Sequence, residues 1–285
     1  MSRIIPKLTT RILLASLLTA APAIAGAAES SITAIGGGLP TGGRVTFSGD
    51  LTRVYQLGPG GQAEGKLVLH NPTGETRSAR IYQTDYAFTA EGSASYGPPG
   101  SNPRSTAPWI ELGEREAVLG AGETRTVSFK VNVPTKDRLS GTYWSMIMVE
   151  PITDLPAPAD PRTVTVRSVM RYGVQVVVQV GDNAEPKPSI SHQEIVKDNG
   201  RQLLQFDLSN EGERWLQPKV EVRLFDGKGR ALPVVPGRKA RVYPGTSVRH
   251  RIELPPLSAG DYLALIVIDT DDETYGAQYH FHLDD

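Results

Sequence analysis

The chain has 285 residues, with 30 lysines and arginines against 31 aspartates and glutamates, and no cysteine. This near-neutral balance lacks the basic stripe that a nucleic-acid partner requires. The missing thiols exclude disulfides, cysteine nucleophiles and a lipid anchor on cysteine. The 29 glycines, 22 prolines, many short alternating runs and absence of sustained helical periodicity point to an all-β protein.

The chain opens with Arg3, Lys7 and Arg11, then an apolar run from Ile12 to Leu18, then Ala21-Pro22-Ala23-Ile24-Ala25-Gly26-Ala27. This is the pattern of a secretory signal peptide cleaved after Ala25 or Ala27, and its apolar core is shorter than the roughly 20 residues that span a bilayer. Removing residues 1–27 leaves 27 basic against 31 acidic residues, a net charge of −4. No later apolar segment is of spanning length, so no membrane span is expected in the mature chain. Residues 28–43 are glycine-rich and aperiodic, and read as a flexible leader.

The remaining length fits two domains of ordinary size. The first is expected at 44–181 and the second at 189–285. Between them Asp182-Asn183-Ala184-Glu185-Pro186-Lys187-Pro188 replaces the strand pattern with polarity and two prolines, so 182–188 reads as the linker. In chain order, Thr52–Leu57 is the first strand-pair candidate, followed by the turn Gly58-Pro59-Gly60-Gly61. Gly65–His70 places Leu67 and Leu69 on one face and ends in the turn Asn71-Pro72-Thr73-Gly74. Arg77–Phe88 sets Tyr82, Tyr86 and Phe88 against Ile81. Residues Glu91–Pro108, rich in Gly, Ser, Pro and Asn, read as a mobile surface loop. Trp109–Leu112 resumes the sheet, and Thr124–Val133 turns Val127, Phe129, Val131 and Val133 inward. Leu139–Val149 is apolar on both faces, hence a central strand, and a proline-rich loop, Pro151–Pro161, follows it.

The run Pro161–Gly181 organises the first domain. Val164, Val166, Met170, Tyr172, Val174, Val176, Val178 and Val180 alternate with Thr163, Thr165, Arg167, Arg171, Gln175 and Gln179, which reads as a strand with one buried face. Its length predicts a bulge or bend near Gly173. In the second half the inward sets are Leu204, Phe206 and Leu208; Val220, Val222 and Leu224; Val248, Ile252 and Leu254; Tyr262, Ala264, Ile266 and Ile268; and Tyr275 to Leu283 on the last strand.

The two halves echo each other. Residues 119–144 carry a turn, an alternating strand ending at Pro134 and then Gly141-Thr142-Tyr143; residues 242–263 carry a turn, a strand ending at Pro255 and then Gly260-Asp261-Tyr262. This is the order of an immunoglobulin-like sandwich, in which a tyrosine opening the penultimate strand folds back onto the preceding corner. The expected fold is therefore two tandem immunoglobulin-like β-sandwich domains.

Chemistry-bearing clusters are sparse. His280 and His282 share a face with Asp284, but a closed metal site needs further ligands. Asp269-Thr270-Asp271-Asp272-Glu273 lacks the spacing and glycine of a calcium loop and reads as an acidic hairpin turn. Trp109, Trp144 and Trp215 read as core anchors. No nucleophile elbow, zinc-protease motif or phosphate-cradling loop is present. No catalytic residue, metal or cofactor is therefore expected, and the protein reads as a non-enzyme.

Three motifs carry a resemblance to a known family: Leu51-Thr52-Arg53-Val54-Tyr55, Leu67-Val68-Leu69-His70-Asn71-Pro72, and Gly141-Thr142-Tyr143-Trp144 with the long final strand. Over residues 45–181 the chain resembles the periplasmic pilus chaperones of the PapD-like superfamily. The resemblance implies a periplasmic protein that lends the last strand of domain 1 to an incomplete, β-rich exported pilus or surface protein subunit. It places Val164, Val166 and Met170 in the donor strand and Arg53 on the position of a basic anchor for the client's terminal carboxylate. The family's second anchor, a lysine before a Phe-Tyr-Arg-Pro ending, has no match, and Arg171 or Arg167 would substitute for it. An outer-membrane assembly protein is a second implied partner. The alternative reading is a non-chaperone structural or adhesive scaffold that binds another envelope or surface protein; a donor edge left open favours the first, a self-covered edge the second.

Overall fold

The computed structural model describes residues 45–136, 138–152, 170–270 and 273–284. The expected signal peptide and leader, and Val164, Val166 and Arg167 of the organising run, lie outside the described residues. The first half of the chain forms β1 (Thr46–Ser48), β2 (Thr52–Leu57), β3 (Gln62–His70), β4 (Arg77–Phe88), β5 (Ala94–Gly97), a 3-10 turn (Ala107–Trp109), β6 (Ile110–Leu112), β7 (Glu116–Leu119), β8 (Thr124–Asn132), β9 (Gly141–Ile152) and β10 (Tyr172–Val180). One sheet runs β1-β3-β8-β6; the other runs β2-β10-β9-β4-β5, with β7 added to β4. Because side chains alternate along a strand, Leu67, Leu69, Val127, Phe129 and Val131 of the first sheet meet Ile81, Ile147, Val149, Val174, Val176 and Val178 of the second in one buried core. Each such aliphatic side chain contributes roughly 1.5–3 kcal/mol of burial.

The second half forms β11 (Pro188–Asp198), β12 (Arg201–Asn210), β13 (Lys219–Asp226), β14 (Val235–Pro236), β15 (Ser247–Glu253), β16 (Gly260–Asp269) and β17 (Thr274–Leu283). Its sheets are β11-β12-β15 and β14-β13-β16-β17, closed around Leu204, Phe206, Leu208, Val222, Leu224, Ile266 and Ile268. The protein is all-β, two immunoglobulin-like sandwiches in tandem, as the alternation and the internal echo imply.

The repeat extends to a pair of buried asparagines. Asn71, at the end of β3, donates its amide to the carbonyls of Glu75 (2.7 Å), Leu119 (3.1 Å) and Gly120 (2.8 Å). Asn210, at the end of β12, donates to those of Arg214 (2.7 Å) and Val242 (3.1 Å). Each side chain supplies the partners that a chain turning away from its ladder would otherwise leave unpaired. The fold-back tyrosine is present in the second sandwich, where Tyr262 donates its hydroxyl to the Ser258 carbonyl at 2.9 Å; Tyr143 instead packs on Trp109, ring centroids 4.7 Å apart.

Several expectations are corrected. β2 does not pair with β3: the first strand is split, β1 lying antiparallel to β3 and β2 parallel to β10. No bulge occurs at Gly173, where the β10–β9 register continues unbroken from Tyr172↔Val149 to Val180↔Gly141; Met146 and Met148 close over the glycine, where a Cβ would come within 3.0 Å of the Met146 methyl. The segment read as a mobile loop after Glu91 contains β5 and a pinned stretch. Asp85, 3% exposed, accepts hydrogen bonds from the Ser101 and Ser105 hydroxyls and from the Asn102 amide (2.7 Å), which draws residues 101–106 down beside β9. An edge strand, β11, was hidden from the periodicity because its register shifts between Ser191 and Glu194, with His192 at φ 53.

His250 is fully buried in the second core, stacked on Phe206 at 5.1 Å, with neither ring nitrogen hydrogen-bonded. Loss of hydration, aided by the charge of Arg238, pushes its pKa down to about 4. Above pH ~6.5 the imidazole is neutral folded and unfolded and contributes no pH dependence; below it only the unfolded chain takes up the proton. Stability should therefore fall by about 3 kcal/mol as the pH drops from ~6.5 to ~4. Urea unfolding across this range should show that His250→Leu flattens this part of the pH profile, and an unchanged slope would contradict it.

Candidate functional site

The site is built around β10. Its even side chains, Val174 to Val180, fill the first core. Its odd side chains were expected to face solvent, yet Val177 is fully buried and Gln179 is 2% exposed, because the second sandwich packs against that face. There Tyr243 lies on Trp144, ring centroids 4.8 Å apart, with Tyr86 and Phe88 edge-on at 6.0 Å each and Trp215 at 5.8 Å. Trp109 is a core anchor, whereas Trp144 and Trp215 belong to this joint between the sandwiches. Burial pushes the phenol pKa values of Tyr86 and Tyr243 up, so both remain neutral phenols.

A polar chain borders the aromatic cluster. The Arg241 guanidinium donates to the Thr52 hydroxyl at 3.0 Å and stands 5.2 Å over the Trp215 ring. Thr52 donates to Gln175 Oε1 at 3.3 Å, and the same oxygen accepts from the Tyr243 hydroxyl at 3.1 Å. On the opposite flank residues 213–215 hydrogen-bond along the start of β9: the Thr142 amide donates to the Glu213 carbonyl and the Trp215 amide to the Thr142 hydroxyl, both at 2.8 Å. Arg104 pairs with Glu213 at 3.1 Å. The segment read as a linker is held at both ends, since Arg214 donates to the carbonyls of Gly181 (2.6 Å) and Ala184 (2.9 Å) and the Lys187 amide donates to Asn210 Oδ1 (3.1 Å). Beside the aromatic cluster a cavity of about 590 Å³ opens between the sandwiches, lined in part by Tyr86, Tyr96, Arg104, Trp144 and Thr246.

The edge of β10 is the other half of the site. β2 covers it from Gln175↔Thr52 to Val180↔Leu57, and the Gln175 amide donates to the Leu51 carbonyl at 2.8 Å. Before that point the chain has crossed to the other sheet as β1, so no described strand pairs this edge from Tyr172 to Val174. Backbone groups of alternate residues point to the same side, which aims the N–H and C=O of Gly173, like those of Gln175, at the uncovered edge.

Of the residues singled out from sequence, Met170 is half-buried just ahead of β10. Arg53 sits in β2 opposite Val176, on the face shared with Tyr55 and Leu57, and its guanidinium lies 3.7 Å from Asp50. Arg171 is paired with Glu150 at 3.1 Å, and Glu150 also accepts from the Tyr82 hydroxyl at 2.9 Å. Arg53 and Arg171 are not brought together: five strand positions separate Val176 from Arg171, about 16 Å at ~3.3 Å per residue. Arg241 was missed, and no local sequence signal marks it; the only clue is that Tyr243-Pro244-Gly245 repeats a turn of the first sandwich. Asn210 was missed too, although Asn210-Glu211-Gly212 after a strand echoes Asn71-Pro72-Thr73-Gly74 and could have marked it. His282 pairs with Asp261 at 2.8 Å, and among the described residues no group of three His, Asp or Glu is placed to hold a metal. Among them, too, no helix is long and apolar enough to cross a membrane.

No family model and no curated protein matches the chain. Solved structures similar to it include the class 5 fimbriae chaperone CfaA, at 10% identity over 83% of this chain and 98% of that one, with a TM-score of 0.45. The Pseudomonas aeruginosa CupB2 chaperone aligns at 11% identity over 84% and 100%, TM-score 0.39. A PapD-like domain of human CEP192 aligns at 15% identity over 54% and 96%, TM-score 0.32. All three scores lie below 0.5, so the functional reading of this chain rests on its own strand pairing and cleft chemistry.

At Gly141 the two sandwiches approach closely. It has φ +85, and a Cβ there would lie 2.1 Å from the Glu213 carbonyl oxygen. Gly141→Ala should therefore pry residues 213–215 off β9, splitting thermal unfolding into two transitions and admitting protease at 182–188. A single transition with unchanged resistance would contradict this joint.

Proposed function

We propose that the protein is an exported, periplasmic chaperone or assembly factor that holds a β-rich exported pilus or surface subunit by strand addition to β10. The observation that carries this reading is the half-covered edge: a strand fixed on both faces, with β2 on its second half and no described strand against Tyr172–Val174. A guest strand laid there gains main-chain hydrogen bonds, and side chains alternating from Val164 through Val166 to Met170 would fill its gaps. β2 runs parallel to β10. A guest running the same way would end its chain at Leu51–Arg53, where Arg53 is the cation for its terminal carboxylate, in competition with Asp50. Arg171 lies too far along the strand to share that carboxylate with Arg53, and Arg167 falls outside the described residues. The described groups gathered at β10 are rings, hydroxyls, amides and a guanidinium cation, and the reading is of a binding protein.

The second reading, a two-sandwich scaffold for another envelope or surface protein, is favoured by β2 covering Gln175–Val180. Co-purification of the tagged protein from the periplasm separates the two. A chaperone should recover one β-rich exported protein in about equal amount, and Val164→Glu with Met170→Glu should reduce recovery by about tenfold or more. Arg53→Ala should weaken capture with the fold intact. Recovery of a surface protein indifferent to all three changes would overturn the chaperone reading in favour of the scaffold.

A further inference from the structure

Sheet edges present unpaired N–H and C=O groups, and proteins blunt them by shortness, charge, proline or bulges. Apart from the half-open edge of β10, the described edges of this molecule follow that rule with one departure. β1 and β6 have three residues each, β5 has four, and β14 has two, ending in Pro236. β2 has six residues and carries Arg53. β11 is bulged and carries Glu194, Lys197 and Asp198. β15 carries Arg249, Arg251 and Glu253. β17 has ten residues, Thr-Tyr-Gly-Ala-Gln-Tyr-His-Phe-His-Leu, with no Asp, Glu, Lys, Arg or Pro. Its register with β16 is unbroken from Asp269↔Thr274 to Gly260↔Leu283. On its far side β11 passes nearby, but no described strand is bonded to it.

We propose that β17 is a dimerisation edge, at which a second copy of this chain pairs antiparallel and joins two four-stranded sheets into one of eight strands. The strand is complementary to itself. About a two-fold axis through Gln278, the exposed side chains pair as Gln278 with Gln278, Gly276 with His280 and Thr274 with His282. On the inner face Ala277 meets Tyr279 and Tyr275 meets Phe281. Gly276 and Ala277 thus oppose larger side chains, Tyr275 meets an aromatic ring, and no like charges, which would destabilise cross-strand pairs, meet along the strand; a patch that pairs with itself in this way suits a two-fold interface. Glu273 and Asp284 fall at the ends of the ladder, where water and salt screen them.

Gln278 is exposed, so its replacement leaves the core intact, and sedimentation velocity of the full exported chain tests the pairing. Wild type should show a concentration-dependent dimer. Gln278→Lys and Gln278→Glu, each setting like charges on the axis, should weaken it by about tenfold or more, and mixing the two should restore it. A wild type that stays monomeric at every concentration, a dimer indifferent to both substitutions as one formed through β10 would be, or a mixture that fails to re-form would overturn the proposal. Client capture depends on Met170 and the β10 edge instead, so either reading can fail without the other.

Discussion

β10 is constrained on three sides, and the rest of the molecule depends on how those constraints are met. Its even side chains belong to the first core, its odd side chains at Val177 and Gln179 are sealed by the second sandwich, and its ladder to β9 runs its full length. A strand held this way has little freedom to twist or slip, because a one-residue shift would expose both faces. The aromatic joint adds to this: each ring pair around Tyr243 contributes roughly 0.5–1.5 kcal/mol beyond the area it buries. The two sandwiches are therefore coupled through the same strand whose edge is left half open.

That half-open edge follows from the split first strand. Had β1 continued along β10, the sheet would be capped and the backbone groups of Gly173 would be paired internally. By crossing to β3, β1 completes the opposite sheet instead, and its Phe47 ring packs against Tyr172 at 6.3 Å. The side chains at this end of the core are covered while no described strand covers the main-chain edge. An uncovered edge is ordinarily a liability; here it adjoins a rigid strand, the arrangement that a strand-adding partner requires.

Much of the fold was legible because one-sided burial writes a period of two into a strand, as in β8 and β12. β9, apolar on both faces, was recognisable as central because burial on both sides fills in that alternation. Legibility failed where the cause was tertiary. The odd face of β10 looks polar in sequence, since Gln175 and Gln179 are hydrogen-bonded into the joint by Thr52, Tyr243 and Thr142 rather than exposed. The segment after Glu91 looks mobile, since the single carboxylate that pins it, Asp85, lies on another strand. β11 lost its periodicity to a bulge. At the site, Arg53 and Arg171 looked like a pair because sequence gives no register between β2 and β10; once Arg53 is set opposite Val176 they separate. Arg241 was invisible because only the docking of the second sandwich brings it to Thr52.

The most direct test of this account is amide hydrogen exchange along β10, with and without the co-purified client. The Gly173 amide should exchange at nearly the rate of an unpaired amide in the free protein and become protected in the complex, while the Gln175 amide, bonded to Leu51, stays protected in both. A Gly173 amide already protected in the free protein, or one unchanged by the client, would contradict the open edge on which the account rests.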